Sequence, residues 1–187
     1  MSKNKTNVGD GIEKARSQWS FADGVAESFP SHVKRSIPLY AEGHELICGL
    51  SEFFLEKDSL CYDLGTSTGE LLGKLSNHHK HREDVSFIGL DVEPEMVEEA
   101  RKQHKLPSTS FQVADMLAFD YQPANFAVLY YTLHFLSVSE RKPLLEKIHQ
   151  TLKPGGALVV FEKVLADDSR LQAVSYTHLT LPTICSV

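Results

Sequence analysis

The chain has 187 residues, 42% of them hydrophobic and 24% charged, which suits one α/β domain with a real core and leaves little room for a second. Its formal net charge of −6 argues against a long grip on nucleic acid, which needs a basic stripe, and favours a small-molecule ligand. No apolar run approaches a membrane span, and Met1-Ser2-Lys3-Asn4-Lys5 lacks the apolar core of a signal peptide, so no membrane partner and a cytoplasmic address are expected.

Residues 1–18 are polar without clear periodicity and read as a mobile N-terminal arm. From Trp19 to Leu55 the pattern is helical. Phe21, Val25 and Phe29 repeat at helical spacing, and Leu46, Ile47, Leu50, Phe53 and Phe54 are expected on one face of a longer helix. Pro30 and Pro38 divide this region.

Short apolar strands then alternate with helices. Leu60 to Leu64 is the first predicted strand, followed by Gly65-Thr66-Ser67-Thr68-Gly69 and a helix through Leu75. Val85 to Leu90 is the second strand, ending at Asp91, and Pro94 suits the first turn of the next helix. Ser110 to Val113 and Phe126 to Leu133 are the third and fourth strands. Ser137-Val138-Ser139-Glu140 has capping-box form and opens a helix to Leu152 that tolerates Pro143 early in its course. Lys153-Pro154-Gly155-Gly156 turns the chain into a fifth strand, Ala157 to Phe161. Strict alternation with unbroken apolar strands implies a mostly parallel Rossmann-like sheet with helices on both faces. Residues 19–173 are taken as the domain. From Val174 the chain carries no charge and no pattern, and residues 174–187 read as a non-native tail.

The chemistry concentrates at the strand ends. Cys61-Tyr62-Asp63-Leu64-Gly65-Thr66-Ser67-Thr68-Gly69 is a strand entering a small-residue loop that opens a helix, where backbone can approach a ligand and N–H groups are on offer. Asp91 is placed to accept the hydroxyls of a ribose, and Asp115, in Val113-Ala114-Asp115-Met116, to accept from an adenine amino group. Singly, either carboxylate also fits a helix N-cap. Together, at successive strand ends, they describe a nucleoside pocket. The D-x-G-x-S-x-G loop and the Leu152-to-Gly156 turn resemble class I methyltransferases rather than dinucleotide-binding dehydrogenases, which points to S-adenosylmethionine as cofactor.

A narrower resemblance lies in Trp19-Ser20-Phe21, Val25-Ala26-Glu27, Lys34 to Tyr40, Tyr62 to Gly69, and Thr132 through Lys163. Over about Trp19 to Asp168 the chain resembles the bacterial carboxy-S-adenosylmethionine synthases. The resemblance implies a transferase that moves a carboxyl group from prephenate to S-adenosylmethionine, for later tRNA wobble-uridine modification, without gripping tRNA itself. It further implies a homodimer and a pocket holding S-adenosylmethionine or its carboxylated derivative. By the same resemblance, Gly65, Thr66 and Ser67 contact the methionine part. Asp91 and Val92 hold the ribose and adenine edge, Asp115 and Met116 the adenine, and Tyr40 the sulfonium end. Two departures stand out: Tyr130 replaces a family asparagine near the cofactor, and the chain ends before the family's carboxylate-clamping arginine and before the last two strands.

No catalytic residue is assigned. His134, just past the fourth strand, is in position to act as a base but reads first as a packed or solvated histidine. Glu162 and Lys163 read as a surface pair. The His78-His79-Lys80-His81 run has no carboxylate or cysteine at metal-ligand spacing and reads as a solvated helix end, so no metal is expected. Cys48, Cys61 and Cys185 read as small hydrophobes. The alternatives to carboxyl transfer are ordinary methyl transfer to a small molecule, or an inactive cofactor-binding fragment.

Overall fold

The computed structural model describes residues 7–8, 12–15, 18–19, 29, 33–35, 37–82 and 84–162. They fall in two units, the described residues up to Tyr40 and those from Ala41 to Glu162. Phe21, Val25, Lys163, Cys185 and the tail from Val174 lie outside the described residues.

In the first unit, β1 (Asn7–Val8), β2 (Ile12–Ala15) and β3 (Gln18–Trp19) pair antiparallel, with Val8 opposite Ile12 and Lys14 opposite Trp19. This differs from the expected arm and from a helical pattern beginning at Trp19. Strands of two to four residues are too short for alternation to register, and the local cue was Gly9-Asp10-Gly11, a composition typical of hairpin turns.

The second unit is the predicted sheet. After α1 (Tyr40–Ser51), which opens at the end of the first unit, come β4 (Leu60–Leu64), α2 (Glu70–His78), β5 (Ser86–Asp91) and α3 (Pro94–Gln103). β6 (Thr109–Val113), β7 (Ala124–Tyr130), a 3-10 turn (Leu133–Phe135), α4 (Val138–Thr151) and β8 (Leu152–Phe161) complete it. The strands lie in the order β6-β5-β4-β7-β8 and every pairing is parallel. The order reverses between β4 and β7, the switch point beside which such sheets bind ligands at their carboxyl ends.

Every residue of β4 is buried, and β7 is buried except at half-buried Asn125, so both faces of the sheet centre are covered. Leu64, Leu90, Leu129, Leu144 and Ile148 form one core cluster. Burying each such side chain contributes about 1.5–3 kcal/mol. The helices bury what their spacing predicts: Leu71, Leu72 and Leu75 on α2, Met96, Val97 and Ala100 on α3, Leu144 and Ile148 on α4. The helix α4 starts where Glu140 accepts both the Ser137 N–H at 2.9 Å and the Ser137 hydroxyl at 2.6 Å, and it runs unbroken through Pro143.

Three details differ from expectation. On α1 the buried face is Gly43, His44, Ile47, Cys48 and Ser51, whereas Leu46 and Phe53 are 55% and 79% exposed. Small and polar residues face inward because Tyr130 fills the space above Gly43, where a Cβ would sit 2.2 Å from its hydroxyl oxygen. β7 ends at Tyr130 rather than Leu133, since Tyr131 takes a left-handed φ of 54° and the chain enters the 3-10 turn. Finally, Leu152 already pairs with Ala124, and regular register resumes at Ala157 opposite Phe126. The Lys153-to-Gly156 segment is therefore a bulge within β8, with Gly155 at φ 83°.

Candidate functional site

The loop between β4 and α2 is held by its own backbone. Gly65 and Thr66 N–H groups both donate to the Leu90 carbonyl, at 2.8 and 2.9 Å, and Gly69 N–H donates to the Thr66 carbonyl at 2.9 Å. Ser67 N–H donates to Asp91 Oδ2 at 2.8 Å, while Asp91 Oδ1 accepts the Glu93 N–H at 3.0 Å. Asp91 thus ties the loop to the end of β5 and shapes the entry to α3. Gly65, at φ 79°, is also crowded: a Cβ there would sit 2.6 Å from Thr132 Cγ2, and the Thr132 hydroxyl is anchored on the Leu64 carbonyl at 3.0 Å. Ser67 holds a left-handed φ of 51°, with its N–H on Asp91 and its hydroxyl donating to Met96 Sδ at 3.6 Å.

Below the loop lies Asp63, an acid of the strand-loop motif that its spacing alone does not assign to the site. It is 2% exposed, and the Thr66 hydroxyl donates to its Oδ2 at 2.7 Å. Burial pushes its carboxyl up to about 7; the Thr66 hydrogen bond opposes this, and the nearby Asp91 charge adds to it. Asp91 is also pushed up, by burial, against the pull of three backbone N–H groups. Burial thus raises both loop carboxyls, and among the described residues no positive side chain opposes it at either one. That environment favours a cation. A pyrophosphate needs the opposite: loop N–H groups aimed outward. Here those of Gly65, Thr66 and Ser67 are spent inward. The donor set fits a cofactor carrying sulfonium and ammonium groups and a ribose.

The other expected site residues are less uniform. Val92, next to Asp91, is 54% exposed at the strand end. Asp115 is exposed, and its Oδ1 accepts the Leu117 N–H at 2.8 Å, so in this structure it caps the turn after β6. It stands beside Asp91 through the Ala114 N–H to Asp91 carbonyl bond of 2.8 Å. Met116 is 7% exposed and belongs to the core cluster. Tyr130 is buried with its ring centroid 4.7 Å from His44, 4.9 Å from Tyr131 and 5.2 Å from Phe161, and burial raises its hydroxyl. Tyr40 is half-buried at the first residue of α1, in the N-terminal unit.

At the ends of β7 and β8 the structure joins two residues the sequence left separate. His134 Nδ1 lies 2.7 Å from Glu162 Oε1, and the His134 N–H donates to Glu162 Oε2 at 3.2 Å. The histidine run also departs from the solvated helix end expected of it. His79 is buried, and Glu52, from just beyond α1, lies 2.8 Å from His78 Nε2. Local spacing could not reveal that carboxylate, because it arrives 26 residues away along the chain. Buried Cys48 and Cys61 match the small-hydrophobe reading, and burial pushes both thiols up, Cys48 to about 11.

Comparison with known proteins agrees with this geometry. Residues 62–156 match a family model described as a methyltransferase domain. The chain is 36% identical over 157 residues to carboxy-S-adenosyl-L-methionine synthase of Shigella boydii serotype 4, covering 82% of this chain and 63% of that protein. It is 34% identical over 157 residues to the enzyme of the same name from Desulfotalea psychrophila, covering 82% and 64% respectively. The chain thus spans just under two thirds of these relatives' length. In fold it is similar to the N-methyltransferase NodS from Bradyrhizobium japonicum, solved with S-adenosyl-L-homocysteine, at a TM-score of 0.60 and 21% identity over 85% of this chain and 86% of that one. A TehB-like S-adenosylmethionine-dependent methyltransferase from Corynebacterium glutamicum is similar at a TM-score of 0.57 and 20% identity, over 82% of each chain.

Proposed function

This chain belongs to the methyltransferase-domain family, and on that premise we propose that it is an S-adenosylmethionine-dependent transferase acting as a carboxy-S-adenosylmethionine synthase. The observation that carries the cofactor assignment is the pair of desolvated carboxyls, Asp63 and Asp91, around a loop whose amides are spent internally. The likeness to carboxy-S-adenosylmethionine synthases supports carboxyl transfer as the reaction.

When bound, the cofactor supplies a methyl group acidified by its sulfonium. The chain's own residues bind and orient it. Asp91, already fixed by Ser67 and Glu93, offers its remaining lone pairs to the ribose, with Val92 beside it. Gly65, Thr66 and Ser67 form the wall along the methionine part. Asp63 sits near neutrality, so an approaching cation draws its proton off and gains a buried counter-charge. Asp115 and the backbone at Met116 receive the adenine, Tyr130 narrows the donor side and Tyr40 meets the sulfonium end. Prephenate as carboxyl donor, a role in tRNA wobble-uridine modification without direct tRNA binding, a homodimer and a cytoplasmic address belong to the same proposal. Among the described residues, no helix is long and apolar enough to cross a membrane.

A second reading, ordinary methyl transfer to a small molecule, is favoured by the His134–Glu162 pair, which has the histidine–carboxylate geometry of a general base. Mass spectrometry of the nucleoside released on acid denaturation of freshly purified protein separates the two. Carboxy-S-adenosylmethionine in wild type and in His134→Ala supports the synthase. Only S-adenosylmethionine or S-adenosylhomocysteine, with turnover of an acceptor lost in His134→Ala, overturns it in favour of methyl transfer.

A further inference from the structure

We propose that Glu52, His78 and His79 form a binding site for one divalent transition-metal ion, of the zinc type, where the ends of α1 and α2 meet. One ligand atom from each of the three lies within 4.8 Å of the others. His78 Nε2 and Glu52 Oε1 are already in direct contact at 2.8 Å, and two ligands of a tetrahedral ion at about 2.0–2.1 Å each stand about 3.3 Å apart, so a small opening of this pair admits the ion. Two imidazoles and a carboxylate are a borderline-soft donor set that suits zinc, cobalt or nickel rather than calcium or magnesium.

His79 gives an independent reason. The Ser51 hydroxyl donates its single proton to the Cys48 carbonyl at 2.7 Å, so at the 2.7 Å contact with His79 Nε2 the serine oxygen accepts. This places the imidazole proton on Nε2 and leaves the lone pair on Nδ1. His79 is 1% exposed, and its Nδ1 is buried with no hydrogen-bond partner among the described residues. A buried, unsatisfied acceptor carries a desolvation cost that a bound cation would remove. The Ser51–Cys48 relay is the kind of outer-shell hydrogen bonding that orients metal-bound histidines and sets their tautomer.

Arg82 stands 3.8 Å from the other oxygen of Glu52, Oε2, so that oxygen already has a counter-charge while Oε1 faces His78. Closing the 4.8 Å span to ligand distances falls to the partly exposed Glu52 and His78 side chains, which would exchange their mutual contact for the ion. The site lies at the far end of α2 from the Gly69 loop, and a nine-residue helix is about 14 Å long, so the ion would brace two helices rather than meet the cofactor.

The test is a cobalt(II) titration of the metal-stripped full chain, followed by its visible absorption and by displacement with zinc. One equivalent should bind. Affinity should fall at least tenfold in Glu52→Gln and in His78→Ala, both partly exposed positions whose fold circular dichroism verifies. Ser51→Ala, a positioning change, should weaken binding by about tenfold through loss of the tautomer lock. Three results would overturn the proposal: no cobalt band up to millimolar metal, wild-type affinity retained in Glu52→Gln or His78→Ala, or a near-ultraviolet sulfur-to-cobalt band assigning the ion to cysteine.

Discussion

On the β4–β5–β6 side of the sheet, strand ends are tied by backbone amides to carboxylate and carbonyl oxygens, whereas on the β7–β8 side a cluster of rings joins the Tyr131–Phe161 and His134–Glu162 hydrogen bonds. Leu90 and Asp91 together hold the N–H groups of Gly65, Thr66 and Ser67. Across the switch point, Tyr130 rests against His44, Tyr131 and Phe161. Hydrogen-bonded clamps demand particular residue types at fixed short spacings. Stacked rings tolerate exchange among shapes of similar volume. The first side therefore constrains residue type at fixed positions, and the second constrains side-chain volume.

The contrast can be broken from the clamped side. Gly65→Ala should have the largest effect. It forces a side chain into a left-handed backbone and onto Thr132, costing about 2–4 kcal/mol in denaturant unfolding and abolishing cofactor binding. A loss under about 1 kcal/mol with binding retained would mean that the loop relaxes freely. Next, Asp91→Ala leaves the Ser67 and Glu93 amides without their acceptor. It should weaken S-adenosylmethionine at least tenfold by calorimetry, equivalent to about 1.4 kcal/mol. Unchanged affinity would show that the carboxylate is only a cap.

The smallest effect on affinity, and the sharpest in its pH signature, belongs to Asp63. Its folded carboxyl titrates near 7 against an ordinary 3.8. Between those values the folded chain keeps a proton that the unfolded chain has lost, so this group's contribution to stability falls as pH rises from about 4 to about 7 and then levels off. Asp63→Asn removes that slope while its side-chain oxygen can still accept from Thr66. Melting temperatures of the two proteins should diverge in the variant's favour as pH increases through this window. Parallel curves would place the shift elsewhere.

Much of the clamped side was legible because its logic is local. Gly65, Ser67 and Asp91 stand in one strand-loop-helix-strand run, and the Ser137–Glu140 cap spans three residues. Asp63 was visible in the motif, but its perturbation depends on how thoroughly β4 is buried, which no spacing reports. The face of α1 was misjudged because hydrophobicity alone favoured Leu46 and Phe53, while the deciding fact was a tyrosine ring arriving from β7. The Glu52–His78 and His134–Glu162 pairs are each joined across more than 25 residues, beyond the reach of any local pattern.

The fit of Tyr130 over Gly43 has a consequence for how this protein can change over time. With the hydroxyl oxygen 2.2 Å from where a Cβ at Gly43 would stand, the two positions share one volume. A larger residue at 43 becomes acceptable only after 130 has shrunk, and a smaller residue at 130 leaves a void that something at 43 must refill. The order of substitution thus matters: one path crosses a clash and the other a cavity, and the identity of either residue carries a record of its counterpart.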